Sequence, residues 1–176
     1  MSTILLIREF DQGIDRKGVK AMAMSSGECF GLYNIDWKES FLSDGGRRMV
    51  CHFEAPDAEA VRTALSVNQQ TYESVWPATE HLGPDNGDGN VLVERYFDSP
   101  TTVETLQALE DKGAWCLEAH GVVFVRTLFS RDQKKMFCLY RAADAESVRL
   151  AQRQAGMPVT RVWSYDHLTP AQLFAV

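Results

Sequence analysis

The chain has no run of lysines and arginines, no Cys-x-x-Cys pair, no apolar stretch near membrane length and no glycine-rich phosphate loop. Each absence removes a class of function. Lys and Arg number 18 against 24 Asp and Glu, giving a formal net charge of −6 and a pI near 5.2. An acidic body without a basic run repels phosphates, so no nucleic-acid partner is expected. The four cysteines, Cys29, Cys51, Cys116 and Cys138, lack the close pairing of a zinc ribbon or thioredoxin-type motif. In a reducing compartment they read as free thiols packed as small hydrophobes. Apolar runs such as "GVVFV", Gly121 to Val125, are far too short to span a bilayer. No basic, apolar and small-residue succession follows Met1, so no secretion signal is read. A cytoplasmic location without a membrane partner is the expectation. A nucleophile elbow and a dinucleotide fingerprint are missing as well.

What is present is a repeat. "RRMVCHFEAPDAEAVRTA" begins at Arg47, and "KKMFCLYRAADAESVRLA" begins at Lys134, 87 residues later. The same offset sets "ILLIREFD" at Ile4 on "VLVERYFD" at Val91, and Cys29 on Cys116. It also sets Asp57 on Asp144, Arg62 on Arg149 and Val75-Trp76 on Val162-Trp163. One register held without a gap through so many positions is an internal duplication.

Each copy reads alike. An alternating, β-branched strand opens it, near 4–10 and 91–97. A helix follows; in copy two Thr101 and Glu104 form a capping box, and the helix runs to Gly121, matched by Asn34. Two strands joined by a tight turn come next, near 36–43 and 47–54, then 123–130 and 134–141. A second helix is capped by Asp57 or Asp144, and "YESVW" or "VTRVW" closes the copy. The polar "EH" (Glu80, His81) and "YDH" (Tyr165 to His167) after these last strands read as solvated loop residues.

The order β-α-β-β-α-β predicts an α+β chain of two tandem ferredoxin-like units. "VVFVRTLF" is apolar at nearly every position, so both faces of that strand need cover. The expectation is an intramolecular pseudo-dimer resembling a dimeric α/β barrel. Its divisions are repeat 1 at 1–81, a linker at 82–90, repeat 2 at 91–168 and a C-terminal tail helix at 169–176. Pairing of this pseudo-dimer into a homo-oligomer is left open.

Charged and metal-ligating residues give several candidates. Glu94 and Arg95 are adjacent on the opening strand of copy two, so one points at the helices and the other away. Either they form a salt bridge near the strand end, or Glu94 binds a metal or ligand while Arg95 and Tyr96 line a pocket. His52 and Glu54 share one strand face, with Cys51 on the other. They form either a rim pair or part of a cation site, since imidazole and carboxylate suit nickel or zinc. Cys116 and His120, four apart on a helix, can chelate, although a histidine near a helix C-terminus also has a plain dipole explanation. The linker "LGPDNGDGN" is no calcium loop. In the EF-hand register its end positions hold Pro84 and Arg95, where acids are required.

The segments "VERYF", "WCLEAHGV", "SRDQKKMFCLYRAADAESVR" and "RQAGMPVTRVW", from Val91 toward Phe174, resemble the small bacterial nickel-binding ferredoxin-like family, largely catalogued as a domain of unknown function. Copy one resembles it through "SDGGRRMVCHFEAPDAEAVR". The resemblance implies the fold derived above, in tandem, and binding of nickel or another divalent ion. Near its third strand the family reads close to Cys-x-Tyr-Glu-Ala-Pro. Copy one keeps Cys51, Glu54, Ala55 and Pro56, while copy two keeps Cys138 and Tyr140 but has Arg141 and Ala143. Glu94 keeps an opening-strand acid that copy one replaces by Ile7. Each copy has lost a different acid, so one composite site between the copies is expected, and no family ligand set is carried over.

Three functions compete. A non-enzymatic protein binding a divalent metal or an unidentified small ligand is favoured. The alternatives are a monooxygenase- or isomerase-like barrel enzyme, which rests on fold analogy alone, and a regulatory interaction module without a ligand.

Overall fold

The computed structural model of the chain describes residues 1–85 and 87–175; position 86 of the expected linker and position 176 of the expected tail lie outside the described residues. The first copy runs β1 (Ser2–Glu9), α1 (Arg16–Leu32), β2 (Asp36–Ser43), β3 (Arg48–Ala55), α2 (Ala58–Val67) and β4 (Ser74–Leu82). The second runs β5 (Val91–Tyr96), α3 (Val103–Lys112), α4 (Ala114–Ala119), β6 (Val123–Ser130), β7 (Lys135–Arg141), α5 (Ala145–Gln154) and β8 (Arg161–Leu168). A one-turn helix, α6 (Pro170–Leu173), ends the chain.

Short polar side chains start these helices, α4 excepted, by accepting from backbone N–H groups that lack helical partners. Asp57 accepts from Ala60 N at 2.8 Å and Asp144 from Ser147 N at 2.7 Å. The left-handed exits fall at Asn34 (φ 55°) and Gly121 (φ 65°). Two readings of copy two need correction. The cap of α3 is Thr102, not Thr101, with its hydroxyl accepting from Thr105 N at 3.1 Å. The expected single helix also breaks at Gly113, where a β-carbon would stand 2.3 Å from that of Ala155. The α5 segment packs so closely there that only glycine fits, and the chain restarts as α4.

The chain forms two compact units, residues 1–78 with 166–176, and residues 79–165. In the first, β1 pairs antiparallel with β3 from Ser2↔Ala55 to Glu9↔Arg48, β2 joins the far side of β3, and β4 pairs with β1. Ile4, Leu6, Cys51 and Phe53 pack with Val19 and Phe30 of α1 and Val61 and Leu65 of α2. Leu5, Ile7 and His52 therefore point to the opposite face. In the second unit β5 lies between β7 and β8, and β6 pairs with β7. Val91, Val93, Cys138 and Tyr140 pack there with Leu106, Val148 and Ala151.

The expected fold class, an α+β pseudo-dimer of two tandem ferredoxin-like βαββαβ units, is corrected by the strand order. The strands close into one eight-stranded barrel, β1-β3-β2-β8-β5-β7-β6-β4. The physical reason lies in the two longest-reaching strands. β4 pairs with β1 only through Ala78, and its remainder belongs to the second unit, where Gly83 N donates to Val125 O at 2.8 Å. β8 pairs with β5 only through Ser164, and its last residues, from Asp166, belong to the first unit. Closing the ring removes the edges that two open sheets would expose. The polar "EH" and "YDH", read above as loops, are strand residues.

Among the described residues no helix is long and apolar enough to cross a membrane. All four cysteines are free, with Cys51, Cys116 and Cys138 buried and Cys29 half-buried. Burial pushes the Cys51 thiol up, against the opposing pull of Arg8 and the Ser40 hydroxyl. A thiol reagent is expected to titrate Cys29 first and the three buried thiols only on denaturation. Mass mapping of the modified residues checks this; fast labelling of Cys51 would mean its strand opens readily.

Candidate metal centre

The site begins with a misfit in β2. Its pairing with β3 shifts between Trp37↔Phe53 and Glu39↔His52, leaving Lys38 as an extra residue. In a regular strand Trp37 and Glu39 would share a face; the bulge puts them on opposite ones. Trp37 goes with Phe53 to the helix side, and the Glu39 carboxylate turns to the other face beside His52.

Glu39 is 8% exposed, yet both its oxygens are engaged. His52 Nδ1 lies 3.0 Å from Oε1, and His167 Nε2 lies 2.7 Å from Oε2. A carboxylate only accepts, so each imidazole donates its N–H to it. The other ring nitrogen of His52 is Nε2. That nitrogen is buried without a hydrogen-bond partner and lies 3.5 Å from Glu54 Oε1. Glu54 in turn accepts from the Thr3 hydroxyl at 2.8 Å. His167 is placed by its neighbours: Asp166 takes a bidentate pair from Arg16 at 2.7 Å, and Leu168 is fully buried in the first unit's core. Phe41 stacks on the His167 ring at 5.5 Å and 16°.

Two imidazoles and two carboxylates thus meet inside the first unit. Adjacent ligands of one divalent ion, each about 2.0–2.2 Å from it, stand about 3 Å or slightly more apart. Each imidazole nitrogen stands at about that spacing from one Glu39 oxygen, and imidazole with carboxylate suits nickel or zinc.

The offset of 87 gives the second unit a different set. Arg126 stands for Glu39, Leu139 for His52, and Glu80 for His167. The bulge recurs between Phe124 and Arg126, but it presents a guanidinium, whose Nη1 donates to Glu80 Oε2 at 2.8 Å. Where copy one has Glu54, copy two has Arg141, bidentate to Asp85, and these hydrogen bonds hold the Asp85 carboxyl down to about 2. The Arg126–Glu80 ion pair thus stands where the first unit has Glu39 and His167.

The other candidates from the sequence have settled partners. Glu94 is fully buried and accepts from Trp163 Nε1 at 2.7 Å and Tyr96 Oη at 2.9 Å, with Arg161 at 3.8 Å. Arg95 is fully buried too and donates to Pro158 O, Gln152 Oε1 and Tyr140 Oη at 2.6, 2.7 and 3.1 Å. Tyr96 is 39% exposed. Cys116 is buried in the core, and the His120 ring, at the α4 C-cap, lies 3.0 Å from Gln154 Oε1. Sequence reasoning missed Glu39 and set His167 aside. The signal for Glu39 was its place two residues after an aromatic in a strand too irregular for plain alternation.

Comparison with known proteins adds a family and a fold. The model of the nickel responsive protein SCO4226-like family matches residues 5–77 and again 92–164. No curated protein matches the chain. The solved structure of putative chlorite dismutase TA0507 is similar at 11% identity and a TM-score of 0.54, over 99% of this chain and 98% of that one. A mutant chlorite dismutase from Candidatus Nitrospira defluvii is similar at 10% identity and 0.53, over 94% and 90%. At such identity the likeness is one of fold alone. The duplicated match spans most of the sequence, and the chain belongs to the SCO4226-like nickel-responsive protein family, in tandem form.

Proposed function

We propose that the protein binds one divalent ion of the nickel type in its first unit, through His52, Glu39, His167 and Glu54. The observation that carries this reading is a buried carboxylate shared by two imidazoles, each with a ring nitrogen within 3.0 Å of one of its oxygens. The family's nickel responsiveness supports the choice of metal. Glu94, with its own three partners in the second unit, is left out of the set. A bound ion would supply charge and a fixed geometry to this unit.

Untagged protein loaded with nickel and dialysed is expected to retain about one ion per chain. His52→Ala combined with His167→Ala should retain none, while His81→Ala combined with His120→Ala should retain the full amount. Two ions per chain, or an ion held by the first double variant, would overturn the assignment.

A further inference from the structure

On the helix side of the first unit, away from the metal donors, lies a cavity of about 310 Å³ between α1 and the sheet. Its walls are mostly apolar, with Met22, Phe30, Trp37 and Phe53 among them, and Arg8 on its lining. Arg8 is only 6% exposed. Its Nη2 donates to Gln70 Oε1 at 2.8 Å and its Nη1 to Thr71 O at 3.4 Å, and its buried Nε has no partner. None of these partners is an acid. Burial draws the guanidinium below its ordinary value, against the opposing pull of the Cys51 thiol.

The second unit shows what such an arginine otherwise has around it. Arg95, the repeat counterpart of Arg8, reaches Tyr140 Oη and Gln152 Oε1, and the Tyr140 hydroxyl donates to Glu110 Oε1 at 3.1 Å. In the first unit the offset of 87 puts Phe53 at Tyr140, Leu65 at Gln152 and Ala23 at Glu110. The hydroxyl, the amide and the carboxylate are all gone, while the guanidinium stays. Ala23 and Phe53 both line the cavity. The space therefore lies where the second unit carries its own acid.

We propose that this cavity binds a small amphipathic monocarboxylate, its carboxylate on Arg8 and its apolar body against the aromatic walls. The volume is at the small end of ligand pockets, which fits a single aromatic ring or a medium-length alkyl chain. Gly27 and Phe174, both exposed, also line the cavity and give it a way to the surface. A guanidinium prefers a carboxylate because it offers paired, charge-assisted donors.

Calorimetric titration in buffer free of divalent metal tests this with octanoate and phenylacetate, against octanol and phenylethanol. The carboxylates are expected to bind about tenfold or more tighter than the alcohols. Arg8→Met should abolish that preference. Ala23→Glu, which gives the cavity an acid of its own as in the second unit, should weaken octanoate by about tenfold or more with the fold retained by circular dichroism. Equal binding of acid and alcohol, full octanoate affinity in Ala23→Glu, or no heat with any probe up to its solubility limit would each refute the proposal. Because metal is absent and the residues differ, failure here leaves the nickel reading untouched.

Discussion

Arg95→Ala is expected to destabilise the protein by about 3–5 kcal/mol, the largest loss from any single substitution considered for this chain. Arg95 is fully buried, and two of its three hydrogen bonds go to the buried Gln152 and Tyr140, the third to the carbonyl of exposed Pro158. Gln152 Oε1 and the Tyr140 hydroxyl lose a charged donor together, and each orphaned buried group costs about 1–3 kcal/mol. Arg8→Ala should cost less than half as much. Arg8 has two such bonds, one of them long, and a cavity beside it. Urea unfolding of both variants checks the ratio; equal losses would mean the Tyr140–Glu110 network adds nothing.

The deficit should also depend on pH. Burial pushes the Glu110 carboxyl up, and Arg95 pulls it partly back. A raised carboxyl binds more protons folded than unfolded, so its contribution to stability is largest below its ordinary value and falls as pH rises through the raised one. Removing Arg95 raises it further. The Arg95→Ala deficit should therefore shrink as pH falls toward about 4.5 and widen toward neutrality. A pH-independent deficit would argue that Glu110 is not coupled to this arginine.

The sequence made some of this legible and hid the rest for identifiable reasons. The duplication was visible because both copies kept cap residues, turns and core positions in one register, and the family match falls in the same two stretches. Asp57 and Asp144 could be read as caps because capping is a local side-chain-to-backbone effect. Barrel closure was not local. The ends of β4 and β8 carry "TEHL" and "YDHL", polar enough to pass for loops, and pair beyond the register of their first neighbours. Glu39 was hidden by the bulge, since strict alternation assigns it to the face of Trp37. His52 and Glu54 stood out because the bulge-free β3 obeys alternation. Half of the proposed donor set was thus readable, and the other half depended on two irregularities of backbone.

Nickel is expected to raise the melting temperature of the wild-type protein by roughly 5–11 °C, and Glu39→Gln to abolish the rise. An ion that binds only the folded state adds about 2.7 kcal/mol when its free concentration is 100 times the Kd. For a chain of this size each kcal/mol moves the midpoint by about 2–4 °C. Glu39 is the informative position because its carboxylate is shared by both imidazoles. A glutamine amide keeps the shape but has one accepting end and one donating end. It can hold only one ring in the present orientation, and it brings no charge to a cation. The matching control is Arg126→Gln, at the same place in the second unit's bulge. That variant breaks the ion pair with Glu80, which lowers the starting midpoint, yet it should keep the full nickel-dependent rise. A rise lost in Glu39→Gln and kept in Arg126→Gln locates the ion in the first unit. The reverse pattern would put the ion in the second unit, and a rise kept in both would put it on surface histidines such as His81.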